Sequence, residues 1–143
     1  MSREVKYRAW DTLNKRMIPN NREAIKSIQF DQNGDFDSVE IAEMQEDFTW
    51  SVKTSCTVEL IQFTGFKGKN DVEIYENDIC KVCYLTEKNQ DRYKYELIRW
   101  NDEEGGFFIG SSFEDEEPLS VGIMDNSLEV VGNIYENGSL LDE

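Results

Sequence analysis

Polar and apolar residues alternate in short runs along most of this chain, and that period of two predicts strands rather than helices. Val5, Tyr7 and Ala9 alternate with Lys6, Arg8 and Trp10, which gives a first strand over residues 4–10. Asp11-Thr12-Leu13-Asn14-Lys15 supplies a turn, after which Arg16-Met17-Ile18 returns as a short partner ended by Pro19. Ile25, Ile28 and Phe30 lead into Asp31-Gln32-Asn33-Gly34-Asp35, where Asn-Gly accepts the positive φ of a tight hairpin before Phe36–Ile41. Phe48–Val52 and Val58–Phe63 are further β-branched or aromatic runs. No segment sustains an apolar stripe of helical period, and the best helical stretch, Asn21–Ser27, is short. Helix is expected to be minor.

Thr64-Gly65-Phe66-Lys67-Gly68-Lys69-Asn70-Asp71 is the richest turn-forming stretch, so the expected boundary separates an N-terminal β-hairpin subdomain (1–65) from a second unit (66–143). Beyond it lie Asp78–Leu85, Tyr93–Trp100, Gly106–Ile109, a weaker segment at Leu119–Ile123, and Leu128–Tyr135. Five short strands joined by polar turns predict a small SH3-like β-barrel. The fold class is therefore mainly β.

Charge changes the picture of what such a fold can bind. The 143 residues carry 15 Lys plus Arg against 30 Asp plus Glu, a net charge of −15 that repels phosphate backbones and anionic lipid alike. Direct nucleic-acid or membrane binding is not expected. Through Gly65 the net charge is −3, and the remainder carries −12. The acidity belongs to the second half. Three cysteines, an odd number, and a charged opening where a secretory leader would be apolar point to reduced thiols in a cytoplasmic setting.

Three blocks carry a family resemblance. Val5-Lys6-Tyr7-Arg8-Ala9-Trp10-Asp11 is similar to the F-R-A-W-D opening of YopX-like proteins. Leu60-Ile61-Gln62-Phe63-Thr64-Gly65-Phe66, continuing through Ile74-Tyr75-Glu76-Asn77-Asp78-Ile79, resembles their QYTG…EIYEGDI, and Val130-Val131-Gly132-Asn133-Ile134-Tyr135-Glu136-Asn137 resembles VIGNIYEN. The blocks occur in the family's order along nearly the whole chain. The resemblance implies a phage or prophage origin, a bacterial host cytoplasm and an SH3-type barrel in the second half, for a family without an established function. Asn77 stands where the family has Gly, a substitution that tolerates left-handed backbone, and Gly138-Ser139 replaces a common Pro-Glu.

Chemistry is mostly excluded. The absence of histidine removes the commonest general base, His-based triads and the commonest neutral metal ligand. Cys80 and Cys83 form a C-x-x-C, yet strand residues three apart face opposite ways, so both are expected to act as small hydrophobes rather than as a redox or zinc pair. Asp102-Glu103-Glu104 and Glu114-Asp115-Glu116-Glu117 flank a short strand without the spacing of a calcium loop, and read as solvated charge. No cofactor and no metal are expected. The polar motif residues Arg8, Asp11, Gln62, Thr64, Glu76, Asp78 and Glu136 are expected at strand ends and turns, where, with Trp10 and Trp100, they form the candidate binding set. The expected function is a non-enzymatic interaction module, with a protein partner or self-association. The alternative is an acidic nucleic-acid mimic that blocks a host DNA-binding protein.

Overall fold

The computed structural model describes residues 6–85, 87–110, 116–122 and 128–142. In them the chain is mainly β, with two single helical turns. It divides between Gln62 and Phe63 into two compact units.

The N-terminal unit is built from β1 (Tyr7–Asp11), β2 (Arg16–Ile18), β3 (Glu23–Phe30), β4 (Phe36–Met44), β5 (Trp50–Ser55) and the start of β6 (Val58–Lys67). β1 pairs antiparallel with both β2 and β6, while β3, β4 and β5 form a separate antiparallel sheet with β4 central. The inward faces meet in a core of Ala9, Ile18, Val39, Ile41 and Val58, with Ile25, Ile28, Phe36 and Leu60 packed against it. Period-two alternation is what delivers those residues to one side of each strand. The stretch Asn21–Ser27, expected as the best helix, is mostly strand. The register of β3 shifts between Ile25 and Ser27, so Ile25 faces Ile41 and Ile28 faces Val39. A bulge inserts one residue, and two isoleucines three apart land on one face.

The C-terminal unit begins with the rest of β6 and adds β7 (Glu73–Tyr75), β8 (Asp78–Leu85), β9 (Asp91–Asn101), β10 (Gly106–Gly110), β11 (Glu117–Pro118) and β12 (Glu129–Asn133). Five of these form an antiparallel sheet in the order β11-β10-β9-β8-β12. Ile74, Cys80, Ile98, Ile109, Leu119 and Leu128 form its buried core, with Phe66, Val82, Phe107 and Val130 packed against them.

Three local expectations differ. Thr64–Lys67 is strand rather than connector, and the following 3-10 turn Lys69–Asp71 is tied down by Lys69 N–H donating to the Leu128 carbonyl at 2.7 Å. A side chain at Gly68 would put its Cβ 2.6 Å from that carbonyl oxygen, so glycine is needed for this close approach. Leu119–Gly122, expected as a weak strand, is the helical turn α1 entered from Pro118, whose fixed φ suits a helix start. Ile123 lies outside the described residues. The last strand stops at Asn133 because that side chain caps a second turn, α2 (Ile134–Asn137), accepting from the N–H groups of Tyr135 at 3.0 Å and Glu136 at 2.9 Å.

Candidate functional site

Within the C-terminal unit, two of the sequence blocks converge on one junction. The turn between β7 and β8 requires left-handed backbone at Asn77, φ 67°, which Asn tolerates. Buried Asp78 closes it by accepting the Tyr75 N–H at 2.9 Å. The Asn77 backbone donates to the Ile98 carbonyl at 2.8 Å and accepts from the Ile134 N–H at 2.9 Å, and its side-chain amide donates to the Tyr135 hydroxyl at 2.9 Å. Asn77 thus ties the β7–β8 turn to β9 and α2. Thr64 braces the other side, donating to the Ile74 carbonyl at 2.7 Å and accepting from the Phe66 N–H at 3.1 Å. Phe63 and Tyr75 pack with ring centroids 5.4 Å apart.

Of the candidate set, Thr64, Glu76, Asp78 and Glu136 lie in the parts of these blocks that belong to the C-terminal unit. Glu136 is exposed on α2, where its carboxylate accepts from the Asn133 side chain at 3.1 Å. Glu76 is half-buried in the turn itself. Trp100 lies toward the other end of β9, half-exposed, packed edge-to-face with Phe107 with ring centroids 5.1 Å apart. Asn77, Asn133 and Tyr135 were not in the candidate set, although the alignable blocks containing them were the available signal.

The remaining candidates belong to the N-terminal unit. Trp10 is buried, Arg8 and Gln62 are half-buried on β1 and β6, and buried Asp11 accepts from the Leu13 and Asn14 N–H groups, each at 3.0 Å, and from the Asn14 amide at 2.9 Å. Burial alone pushes the Asp11 carboxyl up, but those hydrogen bonds and the Arg16 charge hold it below the ordinary aspartate value. Asp11 is a turn closure.

The deepest ionic network of this unit was not in the candidate set. Glu23, buried, binds Arg16 Nε at 2.8 Å and Lys53 Nζ at 2.9 Å, and accepts from the Asn20 amide at 3.0 Å. Lys53 also reaches Glu43 at 3.0 Å. Burial pushes the Glu23 carboxyl up, but Asn20, Lys53 and Arg16 together outweigh it and leave it below the usual glutamate value. Every oxygen of Glu23 is satisfied, so the network locks four strands, β2 to β5, and offers no group to a substrate.

The cysteines separate. Cys80 is buried and its thiol is pushed up to about 12, by burial first and then by the Asp78 and Glu96 charges. Cys83 is exposed, against the expectation that both thiols pack as small hydrophobes. It lies on β8 beyond the stretch that β12 pairs with, which ends at Lys81. The acidic runs are unequal too. Asp102, Glu103 and Glu104 are exposed in the β9–β10 turn, whereas Glu116 pairs with Arg99 and its side chain is nearly fully buried. Glu114 and Asp115 lie outside the described residues. No three His, Cys, Asp or Glu side chains converge on a metal position among the described residues. No helix is long and apolar enough to cross a membrane among them.

The model of the family described as YopX protein matches residues 6–142, and the chain belongs to that family. No curated protein matches it. The crystal structure of protein EF1440 from Enterococcus faecalis is similar, with 25% identity and a TM-score of 0.63 over 98% of this chain and 99% of that one.

Proposed function

We propose that this chain is a non-enzymatic protein-interaction module, an accessory protein of phage or prophage origin working in the host cytoplasm, with its C-terminal sheet serving as an SH3-like barrel. The observation that carries the binding role is an apolar strip on the outward face of the β3-β4-β5 sheet. Trp50 and Val52 are 56% and 50% exposed there, half-buried Met44 and Ala42 of β4 pair with them, and Phe48, 81% exposed, lies in the turn that leads into β5. Large apolar groups grouped on one exposed sheet face mark interaction surfaces in soluble proteins. Trp is also, with Tyr and Arg, among the side chains enriched where binding energy concentrates.

A second reading has its own observation. Exposed Asp102, Glu103 and Glu104, in a half with net charge −12, favour an acidic mimic of nucleic acid. Burial of Glu116 against Arg99 counts against it, because it removes one carboxylate from the neighbouring run.

Affinity capture on the tagged chain, at low and high salt, separates the two. The module reading expects partners that survive high salt and disappear with Trp50→Ala. Mimicry expects a basic partner released by salt and by Asp102→Asn, Glu103→Gln and Glu104→Gln together. If Trp50→Ala retains every partner of the unaltered chain, the strip is not the binding face.

A further inference from the structure

The two edges of the three-stranded sheet are built differently. β3 carries register shifts between Ile25 and Ser27 and between Gln29 and Phe30, and its Lys26 side chain is well exposed. Bulges and edge lysines are the devices that stop one strand from recruiting another. β5 has neither. Its pairing with β4 runs without a break from Val39–Ser55 to Met44–Trp50. Its one charge, Lys53, is turned to the core face and held by Glu23 and Glu43.

The hydrogen-bond phase shows which groups β5 offers. The Met44 N–H donates towards β3, to the Arg22 carbonyl at 2.8 Å, while the Gln45 N–H donates the opposite way, to the Thr49 carbonyl at 2.7 Å. Alternation from that point turns Ser51, Lys53 and Ser55 towards β4. Trp50, Val52 and Thr54 therefore aim both their backbone groups at the open edge and their side chains at the outward face. Both alternations fall on the same three residues.

Resting on the interaction-module reading, we infer that the occupant of this edge is a second copy of the chain, joined β5 to β5 antiparallel about a two-fold axis at Val52. With Val52 opposite itself, Trp50 lies opposite Thr54 and Thr54 opposite Trp50, so all the outward groups match and roughly six backbone hydrogen bonds form. Shifting the register by two residues towards the chain's start brings Phe48, whose φ of 65° is not strand backbone, into the ladder. Shifting it the other way sets Lys53 against itself. Charge supports the same occupant: Trp50–Ser55 contains no acid in a chain of net charge −15, so this is a place where two copies meet without opposing carboxylates. An edge-to-edge contact of this size sits at the small end of specific interfaces, which sets an expected dissociation constant in the range of about 10–100 µM.

Sedimentation equilibrium across that range tests it. The full chain is expected to show a reversible monomer–dimer transition, and Val52→Lys and Val52→Glu, each at an exposed position, are each expected to be monomeric with unchanged melting. Because residue 52 faces its own copy, an equimolar mixture of the two variants should recover the dimer. A full chain that stays monomeric to about 1 mM overturns the inference, and so does a dimer that both variants retain, or a mixture that stays monomeric while its components fold. If the chain is monomeric and Trp50→Ala still abolishes capture of a different protein, the self-pairing fails but the module reading survives.

Discussion

Glu23 in the N-terminal unit and Asn77 in the C-terminal unit are each fixed by several partners from distant strands, yet the chemistry is different. Glu23 is a buried anion met by two cations, Arg16 and Lys53, and by the Asn20 amide. Asn77 is neutral and held by the Ile98 carbonyl, the Ile134 N–H and the Tyr135 hydroxyl. The charge distribution explains the contrast. Beyond Gly65 there are 7 basic residues for 19 acidic ones, and some of the cations are already engaged, Arg99 with Glu116 and Lys94 with Glu96. In the cation-poor unit the Asn77 amide joins its neighbours without adding charge, while the adjacent buried carboxylate of Asp78 accepts a backbone N–H. Buried carboxylates occur in both units, Asp11 and Glu23 in the first and Asp78 and Glu96 in the second, and Glu23 stands apart in meeting two cations at once.

The largest expected effect breaks the ionic side. Glu23→Ala leaves Arg16, Lys53 and Asn20 without their common acceptor and is expected to cost about 2–3 kcal/mol, moderated because both cations keep access to water. Amide hydrogen exchange, read separately over 6–62 and 63–142, should show the protection lost in the first segment. The acid response sharpens the point. Because the folded Glu23 carboxyl sits below its ordinary 4.5, its contribution is fully present above that pH and is lost as pH falls through the folded value. The variant should therefore have a flatter stability profile below about pH 4.5 than the parent chain. Identical acid profiles would show that the network does not govern this unit.

Next in size is a steric test of the neutral junction. Gly132 lies at the register shift between β12 and β8, and a Cβ there would come within 2.3 Å of Asn137 Oδ1, the acceptor of the Asn133 N–H. Gly132→Ala is expected to cost about 1–3 kcal/mol by displacing that side chain. Gly138→Ala is the control, since nothing lies within 4 Å of a Cβ at that position. Thermal melts of the pair should differ. Equal melts would mean that α2 tolerates being pushed away.

How much of this was legible depended on sequence distance. β2 and β8 match their expected spans residue for residue, because their alternation and flanking turns are local. The helical reading of Asn21–Ser27 failed because a bulge changes the phase of alternation and leaves no mark in composition. Asp11 and Asp78 were legible as turn closers, since their acceptor bonds lie two or three residues away. Glu23 was not: Lys53 reaches it from 30 residues downstream, through pairings of β3 and β5 with β4 that no local pattern encodes. The open edge at β5 was likewise hidden. Its residues look like any half-buried strand until the sheet order makes it terminal.

The smallest effect concerns the hydroxyl of Tyr135. Tyr135→Phe keeps the ring and its volume and removes the acceptor for the Asn77 side-chain amide. That amide is only half-buried, so water can replace the lost partner, and the expected cost is about 0.5–1 kcal/mol. The sign of its pH dependence matters more than its size. A phenol titrates near 10 and an amide does not titrate, so the difference between variant and parent should be constant from about pH 3 to pH 8. Glu23→Ala, by contrast, should converge on the parent as acid removes the charge that the variant lacks. Paired denaturation curves for both variants at several pH values read the two slopes directly. A flat difference for Tyr135 beside a closing one for Glu23 is what a neutral junction and an ionic one require. A Tyr135→Phe cost that also closes in acid would mean that the buried Asp78 carboxylate of the same turn governs the junction, and the contrast between the two units would fail there.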